Sequence, residues 1–150
     1  MKPIIAIDPG ASGGIAWRDA DGVVDVEPMP EGMTAQIDFI GSLLASLPNA
    51  EAVIEKVGTY MPGNSGPASC TFARHCGHLE AALYALGCPS AVFLPRVWMQ
   101  VLGNLPKDKA SRKRAIKEQM QRMYPNLAVT LKTADALGIL TFHITKGQTP

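Results

Sequence analysis

The chain has 150 residues, 47% of them apolar, and a formal net charge of +1. That length suits one domain built on a single core, and the apolar content excludes disorder as the main state. No apolar run approaches the roughly 18 residues of a membrane span, and the start at Met1-Lys2-Pro3-Ile4 lacks a charged leader with an apolar segment, so a cytoplasmic protein with no membrane partner is expected.

Ile4-Ile5-Ala6-Ile7 is a short apolar run of the kind buried on both faces of a sheet, and it ends at Asp8. The turn formers Pro9-Gly10-Ala11-Ser12-Gly13-Gly14 lead straight into Ile15-Ala16-Trp17, which predicts an antiparallel hairpin. Asp21-Gly22 is a second hairpin signal, with Val23-Val24-Asp25-Val26 as the third strand. Ile37, Ile40, Leu43, Leu44 and Leu47 recur at helical spacing, with Thr34 as the N-cap and Pro48-Asn49 as the stop. Ala52-Val53-Ile54 is a fourth strand and ends at Glu55. Residues 58–67 hold too much Gly and Pro for regular structure, after which a helical pattern runs from Ala68 to Leu86 and closes at Gly87. Ala91-Val92-Phe93-Leu94 is the fifth strand. A short helix over Arg96 to Leu102, a basic one from Lys109 to Tyr124 and a last one from Thr133 to Ile144 complete the chain. Three hairpin-linked strands followed by alternating helices and strands predict an α/β fold. Its sheet is mixed and five-stranded, three antiparallel strands then two parallel, with helices on both faces.

Asp8, Glu55 and Asp135 sit where acids are costly unless used. The first two each follow an apolar strand run, and they converge at one sheet end if the first and fourth strands are neighbours. Asp135 opens the last helix between Ala134 and Ala136, and Gly138, on the same face, would let that helix approach the sheet closely. Carboxylate clusters of this kind hold Mg²⁺, a hard cation that prefers oxygen ligands. An Asp and glycines after a first strand also occur in two-lobed ATPases, but those need far more than 150 residues.

The net charge hides an asymmetry: Met1–Pro95 holds ten acidic and four basic residues, Arg96–Pro150 ten basic and three acidic. Seven of those basic residues fall in Lys107–Arg122, where Lys109, Lys113 and Lys117 form an i, i+4 stripe. Unbalanced like charges at that spacing do not stabilise a helix, so contact with nucleic-acid phosphates is the better reading. The candidate contacts are Lys107, Lys109, Arg112, Lys113 and Lys117. Cys70, Cys76 and Cys88 are an odd set, read as free thiols of a reducing compartment. With His75 and His78 they show no CxxC spacing, and no zinc centre is expected.

The ordered set Ile5-Ala6-Ile7-Asp8-Pro9-Gly10, Gly13-Gly14-Ile15-Ala16, Ala52-Val53-Ile54-Glu55-Lys56-Val57, Met61-Pro62-Gly63, the Gly77-containing helix, Leu94-Pro95-Arg96-Val97-Trp98 and Ala134-Asp135-Ala136-Leu137 resembles the RuvC-like Holliday-junction resolvases, especially their phage-type members. The likeness spans nearly the whole chain. It implies a ribonuclease-H-like fold and a homodimer that binds a four-way DNA junction in a bacterial cell, from a host or a phage gene. It also implies paired symmetric nicks that leave 5′-phosphate and 3′-hydroxyl ends. Asp8, Glu55 and Asp135 would hold two Mg²⁺ ions, with Mn²⁺ as a substitute and no small-molecule cofactor.

Two positions depart from the family. A fourth ligand, an acid or His, commonly lies three or four residues before the last Asp, where this chain has Lys132 and Leu131. His143 is no replacement, being about 12 Å along the helix from Asp135. Lys132, one helical turn before Asp135 and on its side, is read as a cation that stabilises phosphate charge, the alternative being a tolerated loss of the ligand that leaves one metal loosely held. The aromatic that some relatives carry three residues after the Glu is Gly58 here, and Tyr60 is the nearest candidate for DNA contact. The competing readings are a ribonuclease-H-like nuclease acting on other branched DNA or RNA–DNA hybrids, and a junction-binding protein whose metal site has decayed.

Overall fold

The computed structural model describes residues 1–56, 63 and 65–146. The strands are β1 (Ile4–Asp8), β2 (Gly14–Arg18), β3 (Val24–Pro28), β4 (Glu51–Glu55) and β5 (Ser90–Phe93). The helices are α1 (Met33–Ser46), α2 (Gly66–Ala85), α3 (Pro95–Trp98), continued by a 3₁₀ turn at Met99–Leu102, α4 (Lys109–Met123) and α5 (Ala134–Lys146). The sheet runs β3-β2-β1-β4-β5, antiparallel across the first three strands and parallel from β1 through β4 to β5. This is the expected mixed sheet, with β1 and β4 adjacent.

Alternation along β1 sorts the core. Ile5 and Ile7 face a layer that holds Ile40 and Leu43 of α1 and Leu79 and Leu83 of α2. Ile4 and Ala6 face the opposite layer, with Trp98, Ile116 and Met120, and Ala136, Leu137 and Leu140 of α5. Asp8 continues the second series, so its carboxylate lies on the α5 side of the sheet. Register does the same for Glu55: Ala6 pairs with Val53, two residues before Glu55 and on its face.

Three local readings change. Thr34 does not cap α1; the N-cap is Gly32, with no side-chain hydrogen bond, and Gln36 Nε2 instead reaches back to donate to the Pro30 carbonyl at 2.8 Å. Helix α2 starts two residues earlier than expected, at Gly66, because Ser65 Oγ accepts from the Ala68 amide and Pro67 supplies a helical φ. Gly138 does not serve the approach of α5 to the sheet. A Cβ there would lie 2.6 Å from Cζ3 of Trp98, so this glycine makes room for an indole. The residue that admits the α5 entry is Gly14, where a Cβ would meet the Lys132 carbonyl oxygen at 2.8 Å and Thr133 Cα at 3.3 Å.

Candidate metal and nucleic-acid site

Asp8 at the end of β1, Glu55 at the end of β4 and Asp135 in the first turn of α5 line one cavity of about 410 Å³. Lys109, Arg112 and Lys113 of α4, the glycine turn after β1, Phe72 of α2 and Pro95 complete its wall. Each acid arrives by a separate device: β1 and β4 are neighbouring parallel strands that end together, and α5 packs across both.

The electrostatics are those of crowded carboxylates. Asp8 is 9% exposed, and burial first, then the charges of Asp135 and Glu55, raise its pKa well above the ordinary value; Lys113 opposes the rise. Glu55 is pushed up to about 7, chiefly by burial, with the Trp98 hydrogen bond pulling the other way. Asp135 is also raised by burial, against the pull of Lys113 and Arg112. The ion pair in the cavity is Lys113 Nζ to Asp135 Oδ2 at 4.0 Å. Lys113 at that range, with Arg112 acting from farther away, leaves three carboxylates, Asp8 buried and Glu55 and Asp135 partly so, short of positive charge.

That deficit is what a divalent cation would fill. Among the described residues no group of three or more His, Cys, Asp or Glu side chains is gathered closely enough to form a ready cage. Mg²⁺ does not require one, because it keeps several waters and takes one or two protein carboxylates alongside substrate phosphates. The donor chemistry therefore fits Mg²⁺: hard oxygen ligands, buried and under-compensated. It does not fit zinc, and the three cysteines are free, with Cys70 exposed and Cys88 buried.

The remaining predicted residues divide. Lys109, Arg112 and Lys113 stand with the acids. Lys107 is exposed ahead of α4, and its carbonyl accepts from Arg112 Nη1 at 2.9 Å, so it orients a pocket residue by its backbone. Lys117, one turn past Lys113, is half-buried and is not part of the cavity wall. Lys132 is not on α5; it lies in the turn before it, exposed, and lines a separate groove of about 630 Å³ with Arg74, His75 and His78. Its expected place beside Asp135 is thus taken by Lys113, which reaches the acid from another helix. Tyr60 lies outside the described residues. His143 binds Glu51 Oε1 at 2.9 Å at the opposite end of β4, away from the acids.

Two residues had been given no role at the site: Phe72, whose helical spacing reads as core and which lines the cavity, and Trp98, which lies behind Glu55 and does not line it. Phe72 lies where a Cβ on Gly10 would come within 3.0 Å of its ring. Trp98 is fully buried and donates from Nε1 to Glu55 Oε2 at 2.6 Å. A signal for the second existed, since a buried indole N–H requires an acceptor, but the sequence does not say which.

No protein-family model matches the sequence, and no curated protein does. Among solved structures the chain is similar to RuvC of Thermus thermophilus, at a TM-score of 0.58 and 16% identity over 97% of this chain and 96% of that one. It is similar to the same organism's RuvC in complex with Holliday junction substrate, at 0.62 and 16% over 98% and 97%. The Fowlpox virus resolvase, in complex with substrate Holliday junction DNA, is similar at 0.52 and 11% over 95% and 99%. At such identities the likeness establishes the fold alone: this chain shares the architecture of these three structures over nearly its full length.

Proposed function

We propose that this protein is a metal-dependent, structure-selective endonuclease that resolves four-way (Holliday) DNA junctions as a homodimer, by paired symmetric nicks. The observation that carries the reading is the convergence of Asp8, Glu55 and Asp135 from three elements into one cavity that Lys109, Arg112 and Lys113 also line. Two of the solved structures sharing this fold hold Holliday junction DNA.

In this reading Asp8, Glu55 and Asp135 hold Mg²⁺, two ions per subunit, or Mn²⁺ in its place. Such ions lower the pKa of an attacking water and offset charge on the phosphate and the leaving oxygen. Lys109 and Arg112 hold the DNA backbone at the cavity mouth, contacts that position DNA without reading its sequence. Lys113 stands between acid and phosphate and offsets negative charge on both. Hydrolysis breaks the P–O3′ bond and leaves a 5′-phosphate and a 3′-hydroxyl. The dimer fits the exposure of α2, which buries Leu79, Ala82 and Leu83 and leaves Ala73, Gly77, Ala81 and Tyr84 uncovered.

The deciding experiment incubates the protein with labelled four-way junction and Mg²⁺, beside duplex, fork and RNA–DNA hybrid controls. Paired cuts confined to the junction support the reading. Preferential cutting of forks or hybrids would replace the substrate, and tight junction binding without cutting at any Mg²⁺ or Mn²⁺ concentration would mean a binding protein.

The cations give a second test. Neutralising phosphates makes log affinity fall linearly with log salt, with a slope of about −0.9 for each contact on duplex DNA. Lys109→Ala combined with Arg112→Ala is expected to flatten that slope by nearly two contacts. Lys132→Ala, from the adjoining groove, is expected to leave the cleavage rate within a few-fold, whereas Lys113→Ala lowers it on the order of 10²-fold. Equal losses from Lys113→Ala and Lys132→Ala would return the catalytic role to Lys132.

A further inference from the structure

Trp98 is 0% exposed, yet its Nε1 donates to one oxygen of Glu55 rather than to a backbone carbonyl. The chain reaches this arrangement by a short path. Strand β5 pairs with β4 so that Phe93 lies opposite Glu55, and the Lys56 amide donates to the Phe93 carbonyl at 2.6 Å. Pro95 then starts the single turn of α3, which brings Trp98 back over Glu55. The ring is fixed from its other side by α5, where Gly138 presents no side chain. Any larger residue at position 138 would displace the indole, since even a methyl would stand 2.6 Å from it.

A charge-assisted hydrogen bond of 2.6 Å from a locked donor restricts the carboxylate to one orientation. Oε1 of Glu55 has no hydrogen-bond partner among the described residues, and Glu55 lines the acid cavity. Groups that orient a metal ligand from behind typically govern affinity by 10–100-fold. Resting on the metal-site reading above, we infer that Trp98 is a positioning residue for Glu55: its indole N–H engages Oε2 and presents Oε1 to the divalent cation, and Gly138 exists to admit that indole.

The test is a Mg²⁺ titration of ¹⁵N-labelled full-length protein followed by NMR. The chain has two indoles, and Trp17 lies on the opposite face of the sheet against Phe39, so it serves as an internal control. The Trp98 indole signal, assigned by its loss in Trp98→Phe, is expected to shift in step with the backbone amides of Asp8, Glu55 and Asp135 while that of Trp17 stays. In Trp98→Phe the same amides are expected to titrate with Kd weaker by about 10–100-fold. If the acids titrate in the wild type while the Trp98 indole is silent, or Trp98→Phe binds Mg²⁺ as tightly, this inference falls and the metal site stands. If none of the acids responds to Mg²⁺, both fall. The wild-type indole decides even if Trp98→Phe fails to fold.

Discussion

Asp8→Asn is expected to abolish junction cutting and, in the same protein, to raise the melting temperature measured without metal. The two effects share one cause. Asp8 is the most buried of the three acids, and its neighbours Asp135 and Glu55 raise its pKa further. A carboxylate so placed costs the fold energy, which a bound cation would recover. Removing the charge therefore relieves the fold, by about 2–4 °C for each kcal/mol in a domain of this size. In the proposed metal site it also removes a ligand, and losses of single groups that stabilise transition-state charge run on the order of 10²–10³-fold or more. Glu55→Gln and Asp135→Asn are expected to lose cutting likewise. Junction binding, which the proposal assigns to the α4 cations, should persist in all three. Cleavage at the wild-type rate would remove the substituted residue from the site, and a lower melting temperature for Asp8→Asn would make Asp8 a structural cap.

The second large effect is a dependence of stability on pH that Mg²⁺ reverses. An acid with a higher pKa in the folded than in the unfolded chain keeps its proton after the unfolded chain has lost it. Stability is then greatest below the unfolded value and declines as pH rises toward the folded one. For Glu55 the window runs from 4.5 to about 7. At 1.36 kcal/mol per unit this is a loss of about 3 kcal/mol, with Asp8 and Asp135 acting in the same direction. Glu51 works oppositely, its pKa lowered by Lys2 and His143, but it is more exposed and its window lies below 4.5. Metal-free protein is therefore expected to melt several degrees lower at pH 7.5 than at pH 5. Millimolar Mg²⁺ should recover the difference at pH 7.5, by mass action on the folded state alone, and do little at pH 5, where the acids hold protons. Thermal melts in EDTA and in Mg²⁺ at both values check this. A melting temperature that rises toward pH 7.5, with no response to Mg²⁺, would contradict the picture of uncompensated carboxylates.

What could be read from residues alone was what local pattern encodes. The apolar runs of β1 and β4, each ended by an acid, showed where two of the three carboxylates would sit, because alternation and strand order determine which end of the sheet they share. Asp135 was legible from its place in the first turn of an otherwise apolar helix. Cross-element contacts were not legible. Lys113 meets Asp135 because α4 packs on α5, a relation that spacing within α4 does not contain; the i, i+4 stripe therefore put Lys117 level with it, although Lys117 stands outside the cavity. Lys132 was misplaced because helical spacing was extended three residues ahead of Asp135, beyond the first residue of α5, into a turn ordered by Thr130 and Thr133. Gly138 was identified as a point of close approach, but its neighbour is an indole from another segment.

The three acids lie on β1, β4 and α5, and their order along the chain dictates when they can meet. During synthesis the first strand leaves the ribosome long before its parallel neighbour, and both precede the helix that carries the third carboxylate. Long-range pairing of this kind forms late in folding, after the cost of closing the intervening loops has been met. A nascent chain therefore cannot bring the three carboxylates together until α5 has docked across the sheet. For the nuclease proposed above, whose product would be a broken strand, completion of the fold would double as a licence to act.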